Sequence, residues 1–390
     1  MNSVSAYEIS PNLQVKGFVS QGITLTDHNN QNGNSEDIST HPIEAGVNLY
    51  WQANDNLNFA AQALYSKYGN REKASIELDY VFGRYLFFPQ ENVQIGVELG
   101  RLKTEFGLYN AVRDVPILRP GVNVPDSVYN TSIRGLYFTV DGAKISTQWD
   151  TDMSTWKASI YAGERVSDKK SFESFFFRKD LDSDFKTYSR KGGAVFAEFD
   201  FEYPLELGVS YMNIKSKLEG GGSRFEFEFD TFVYSLKTEV ENFSFTAEYN
   251  AIQYKTKDIF LQNFGATSAL APYIASEDKT GDDAYGYYLQ AEYSLLPNFS
   301  WLVRYEEQLL LAKEEDIEGY KFVGYISDGF QFYSKSWYTG FSWLISNSYL
   351  VSFEYGSHEG TSILSSIDNP DSAQLKKNWH SVRALVSYHF

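Results

Sequence analysis

Residues 381–390 read Ser-Val-Arg-Ala-Leu-Val-Ser-Tyr-His-Phe, and Val382, Ala384, Val386, Tyr388 and Phe390 fall on one face of an extended chain. Ser381, Arg383, Ser387 and His389 fall on the other, with Leu385 the single apolar intruder. Successive side chains of a strand point to opposite faces, so this alternation marks a strand with one oily and one wet side.

The pattern recurs backwards along the chain. Tyr349, Val351, Phe353 and Tyr355 alternate with Ser352 and Glu354, and Phe299, Trp301, Val303 and Tyr305 with Ser300, Arg304 and Glu306. Phe243, Phe245, Ala247 and Tyr249 alternate with Ser244, Thr246 and Glu248, and Val93, Ile95, Val97 and Leu99 with Gln94 and Glu98. Read throughout, it predicts about sixteen strands, at 12–26, 42–52, 57–68, 73–84, 92–103, 137–149, 155–165, 189–201, 205–217, 225–239, 243–256, 284–295, 299–311, 334–345, 348–358 and 379–390. The connections alternate as well. Those at 53–56, 202–204, 240–242, 296–298 and 346–347 are short, and those at 27–41, 104–136, 166–188, 257–283, 312–333 and 359–378 are long and polar. Short turns on one side and long loops on the other are the habit of barrels that cross an outer membrane.

Composition agrees. Aromatics make up 17% of the 390 residues, cysteine is absent, and mean hydropathy is negative. No apolar run approaches the ~20 residues that a membrane helix needs. Strands survive in lipid only when every backbone group is paired, which demands a closed ring. The expectation is therefore an all-β, transmembrane antiparallel barrel in a bacterial outer membrane, with short periplasmic turns, long extracellular loops and an inward third loop. It occupies 1–390 as one domain, with 1–11 as a periplasmic segment. Residues 1–12 lack the basic-then-apolar pattern of an export signal, and the chain is read as one whose signal has been removed. Trp51, Trp149, Trp156 and Trp301, near strand ends, are candidates for interfacial girdles. A net charge of −17 excludes a nucleic-acid partner, which would require a basic face.

Sixteen strands leave room for an aqueous lumen. The predicted inward positions are Glu44, Glu77, Asp79, Glu98, Glu198, Glu206, Glu226, Glu228, Glu248, Glu292, Glu306 and Glu354, against Lys73, Lys144, Lys157, Arg304 and Arg383. That imbalance predicts a preference for cations. Inward aromatics, among them Tyr50, Tyr161, Phe196, Tyr288 and Tyr338, offer a stacking track for sugars. The long connection 104–136 carries Pro116, Pro120 and Pro125, which favour a stiff path over a floppy one. Around it Arg101, Lys103, Arg113 and Arg119 face Glu105, Asp114 and Asp126, a candidate constriction in which each charge either lines the eyelet or pins the loop.

The terminal strand closing on Phe390 resembles the C-terminal signature of bacterial outer-membrane barrels. The run from Gly100 to Leu108, a strand end with basic residues followed by Phe-Gly-Leu, resembles the matching segment of the phosphate-selective-porin-like group of sixteen-stranded porins. The resemblance implies a third loop that narrows the channel, with Arg101, Lys103, Arg113 and Arg119 as eyelet or anchoring cations, and a homotrimer. The predicted wall departs from that group in being acidic, without a lysine-rich ladder. The expected function is passive diffusion of small hydrophilic solutes or ions, in contact with membrane lipid and lipopolysaccharide. A channel specific for sugars or organic acids, or a non-transport receptor or scaffold, is the alternative. No cofactor is expected, and no enzyme, because the five histidines belong to no catalytic motif. The acidic stretches 180–184 and 277–283 approach calcium-loop spacing, but Phe185 stands where an EF-hand needs glycine.

Overall fold

The computed structural model describes residues 7–70, 75–131, 138–165, 184–220, 223–260, 280–310 and 327–390. A short strand, β1 (Tyr7–Ser10), precedes sixteen barrel strands. These are β2 (Leu13–Thr26), β3 (Ile43–Gln52), β4 (Leu57–Lys67), β5 (Ser75–Gln90), β6 (Val93–Lys103), β7 (Thr139–Asp150), β8 (Ser154–Glu164) and β9 (Asp184–Phe199). They continue as β10 (Leu205–Gly220), β11 (Ser223–Val240), β12 (Phe243–Phe260), β13 (Thr280–Leu296), β14 (Phe299–Leu309), β15 (Tyr333–Ser346), β16 (Tyr349–Gly360) and β17 (Asn378–His389). Each pairs antiparallel with the next, and β17 returns to β2 in a register running from Ser381↔Thr26 to His389↔Phe18. The ring is closed. β17 stops there, and the start of β2 pairs instead with β1, Tyr7 lying opposite Val15.

All sixteen barrel strands lie where alternation placed them. The ends differ most at β5, which runs past Arg84 to Gln90, so the turn to β6 is only Glu91 and Asn92. Tyr85-Leu86-Phe87-Phe88-Pro89 breaks the period-two pattern, yet Leu86 lies opposite Gly96, which leaves it room. β1, four residues long and without a pattern, was not anticipated.

The outward positions are apolar. Val19, Ile23, Val47, Ile145, Ile160 and Leu289 are all exposed, as lipid-facing residues must be. Rings flank that band: Trp51 stacks on Phe59 at 5.3 Å, and Tyr349 lies 5.0 Å from Tyr388.

Inside, the order of polarity is reversed. The buried set is rich in Ser, Thr, Asn, Gln, Glu and Arg on the wall, and several of its apolar members belong to the third long loop, L3 (104–138). Phe106, Val122, Val124, Val128 and Tyr129 of L3 are almost fully buried because the loop folds into the barrel. The loops after β2 and β16 also meet. Asn29 donates to the Lys376 carbonyl, and Asn30 and Asn369 exchange hydrogen bonds.

Two predicted wall acids are corrected. Glu226 and Glu228 share parity with the exposed Phe232 and Tyr234, so they face outward, and Phe229, Thr231 and Val233 face in. The apolar parity of β11 reverses between Phe229 and Phe232 with no register shift against β10, which alternation alone does not reveal. Lys73 lies outside the described residues, and so do the side chains of 180–184 and 277–283.

Candidate functional site in the barrel lumen

L3 leaves β6 and turns at once. The Asn110 amide donates to the Thr104 carbonyl at 2.8 Å and its hydroxyl at 2.9 Å, closing a tight bend. Inside that bend Gly107 adopts φ +60°, and a β-carbon there would stand 2.2 Å from the Tyr129 hydroxyl. Only glycine fits both constraints. The Gly107 N–H donates to Ser210 on β10, and the Leu108 N–H donates to Glu248 on β12 at 2.9 Å.

Glu248 is a hub. It accepts also from the hydroxyls of Tyr129 at 2.5 Å, Tyr288 at 2.8 Å and Ser235 at 2.6 Å. A buried carboxylate is tolerable when fixed donors replace its water, and four do so here. Burial, with the charge of Glu248 beside it, pushes the Tyr129 hydroxyl well above its ordinary range, so it stays protonated and keeps donating.

The second limb of L3 crosses to the other wall. Arg119 grips Glu44 of β3 with two hydrogen bonds, 2.6 and 2.9 Å, and Tyr68 donates to the same carboxylate at 2.5 Å. Burial opposes the Arg119 charge, but Glu44 outweighs it and holds the guanidinium above its ordinary value. The Ser127 N–H donates to Glu306 of β14 at 3.0 Å. With its amide oxygen toward β17, Asn123 accepts from Arg383 at 2.9 Å. Behind these, Arg304 pairs with Glu306 at 2.7 Å, Arg383 pairs with Glu354 at 2.8 Å, and both guanidiniums lie over Tyr338, at 4.8 and 4.9 Å. Near the β6 end, Lys103 pairs with Asp79 at 3.0 Å and Asp114 at 2.9 Å, and Arg113 lies over the Phe138 ring at 3.8 Å. Asp126 accepts from Thr131 at 3.0 Å.

Among the described residues, one space beside L3 lies against β5–β10. A cavity of about 430 Å³ is roofed by Glu105, Gly107, Leu108 and Ala111 of the loop. Its wall carries Arg84, Glu98, Lys144, Lys157, Glu198 and Glu206, so with Glu105 it holds four carboxylates against three cations. Arg84 reaches Glu98 at 2.8 Å, and Lys144 spans Glu98 at 3.1 Å and Glu105 at 2.9 Å. Burial would raise the Glu105 carboxyl, but Lys144 and the Ser159 hydroxyl hold it below its ordinary value.

No family model and no curated protein matches the sequence. Solved structures do match along nearly the whole chain. The anion-selective porin from Comamonas acidovorans superposes with TM-score 0.57 at 10% identity, over 97% of this chain and 99% of that one. OmpF of Salmonella typhi gives 0.55 at 12% identity, over 99% and 100%. A trimer form of OmpT, an outer-membrane protein of Vibrio cholerae, gives 0.53 at 10%, over 97% and 99%. The fold is that of the sixteen-stranded outer-membrane porins.

Within this porin fold most of the charges singled out from sequence converge. Lys103, Glu105, Arg113, Asp114, Arg119 and Asp126 all lie in or beside L3, and Glu44, Glu98, Glu248, Arg304 and Glu306 meet them from the wall or support the residues that do. Arg101 does not. It shares parity with the exposed Leu99, and its guanidinium is doubly bonded to Asp141, at 2.7 and 3.0 Å, on the outer face. Placing it at the constriction is therefore corrected, and the parity of β6 already held that signal. Glu77 is exposed, opposite Leu64 on β4, and Glu292 accepts from Gln290 at 2.7 Å and lies near enough to Tyr109 of L3 to help burial push that hydroxyl's pKa up. Arg84, Ser127, Tyr129 and Asn123 were missed. Arg84 fell at a misjudged strand end, and the others offer a loop backbone, a hydroxyl and an amide rather than a charge. Of the inward aromatics, Tyr288 and Tyr338 are committed to Glu248 and the two arginines, and Tyr161 packs on Leu102 and Val140. They make no exposed stacking track.

Proposed function

We propose that this chain is a passive diffusion channel for small hydrophilic solutes, with L3 as its constriction and a preference for cations. The observation that carries the proposal is the charged cavity between the first limb of L3 and β5–β10, in a barrel wide enough for an aqueous bore. A wall of ionised groups keeps such a space filled with water. The excess of carboxylates over cations along it raises the local concentration of positive ions. The sign of selectivity belongs to these side chains and not to the fold, since the Comamonas relative in shape is anion-selective. The likeness to the phosphate-selective group rests on the run 100–108, where Arg101 is engaged by Asp141 and Lys103 by Asp79 and Asp114. Assembly as a homotrimer, and contact with lipopolysaccharide through the outer face, belong to the same proposal.

Purified protein in planar bilayers tests it. Discrete conductance steps are expected, with a reversal potential in a KCl gradient that reports cations moving faster than chloride. A second reading, a closed barrel serving as receptor or scaffold, is favoured by the burial of nearly every residue from Arg119 to Asn130. It predicts silent bilayers.

A further inference from the structure

The cations of the cavity are all engaged by carboxylates: Arg84 by Glu98, Lys144 by Glu98 and Glu105, and Lys157 by Glu198. One carboxylate is surplus. Glu206 makes no ion pair or hydrogen bond among the described residues; it lies directly across the β9–β10 pair from Glu198 and across the β10–β11 pair from Lys237, which pairs with Glu239 at 3.6 Å. Like charges directly opposite repel, and Lys157 and Lys237 here answer three carboxylates, Glu198, Glu206 and Glu239, so this corner of the wall is one positive charge short. Lys157 and Glu198 are about half exposed and reach into the same space. Beside them the lining turns apolar: Phe196 lies across the β8–β9 pair from Lys157, with Leu86 and Ala158 in the same cavity.

Three classes of solute meet these groups differently. A simple anion reaches the exposed side of Lys157 but leaves Glu206 unanswered and is repelled by it. An uncharged sugar gains nothing from the charges. A molecule with an ammonium and a carboxylate a few bonds apart satisfies both signs at once. Its ammonium answers Glu206 and Glu198, and its carboxylate takes the exposed side of Lys157. We propose that this cavity is a binding subsite for zwitterions, a free amino acid or short peptide with a compact apolar side chain resting on Phe196 and Leu86. The proposal rests on the channel reading above and names the solute class for the same bore.

Liposomes carrying the full chain test it by swelling, with leucine compared to an uncharged pentose of similar size. Leucine should enter faster by roughly threefold to fivefold, the scale of one or two solvent-exposed charge contacts. In the variant K157Q/E206Q the leucine rate should fall to the pentose rate, and E206Q alone should fall between. Equal rates through the native protein overturn the proposal, as does an advantage for leucine that survives in K157Q/E206Q. Entry of pentose without any preference for leucine removes the subsite alone. Exclusion of both solutes removes the channel reading with it.

Discussion

Gly17 and Phe390 exchange both of their backbone hydrogen bonds, at 2.9 and 3.0 Å, where the last strand meets the first. The Phe390 ring covers Gly17 so closely that a β-carbon there would stand 2.3 Å from the ring Cζ. Gly17→Val should therefore obstruct closure, because the ring has to leave its place before the seam can pair. Folded barrels resist SDS until heated, and the variant should show less of the unheated, fast-migrating band than the native protein. An undiminished band would mean that the ring turns aside freely.

Arg119 and Glu44 bind one loop to the opposite wall through a fully buried pair. Removing one partner strands the other without water, at a cost of about 3–5 kcal/mol. Arg119→Ala should lower the thermal midpoint and, by loosening L3, raise or destabilise single-channel conductance. Arg101→Ala provides the contrast. Its pair with Asp141 is partly exposed on the outer face, a class worth about 0–1 kcal/mol, and conductance should not change.

Gly107 tests the first limb. A side chain at φ +60° costs about 1–2 kcal/mol in backbone strain. It would also push the Tyr129 hydroxyl off Glu248. Gly107→Ala should shift conductance without altering strand content, read by current steps alongside circular dichroism. Unchanged current would place this bend away from the conducting path.

Acid should act late on the first limb. The Glu105 carboxyl is held below its ordinary 4.5, so the docking of L3 on Lys144 and Ser159 is strongest above that value. It is lost only as pH falls through the lower, folded value. The current should change as pH falls below about 4.5, and Glu105→Gln should abolish that acid step. A step near neutrality would point to a different group.

The strands were legible because lipid and water enforce opposite chemistry on alternate residues, from Phe243 to Phe390, and because turns and loops differ in length. Legibility failed wherever that enforcement lapses. Glu226 and Glu228 sit toward the loop end of β11, opposite Lys217 and Lys215 of β10, and face outward in spite of their charge. β1 pairs only with the spare edge of β2 and needs no pattern of its own. In the site, the charges themselves were visible, but their partners were not. Arg119 meets Glu44 across 75 positions of chain, and Asn123 meets Arg383 only once the ring has closed. Glu248 drew notice as one acid among many. Its role depends on two tyrosine hydroxyls and a backbone N–H that arrive from other strands and from L3.

The fastenings of L3 reach β3 on one side and β10, β12, β14 and β17 on others. A hoop of strands alone is free to go oval under sideways load, since its ladders resist sliding better than bending. A cross-brace removes that freedom. The girth of this hoop and the slack in its brace are thus a single mechanical variable, and squeezing the wall tugs on the loop.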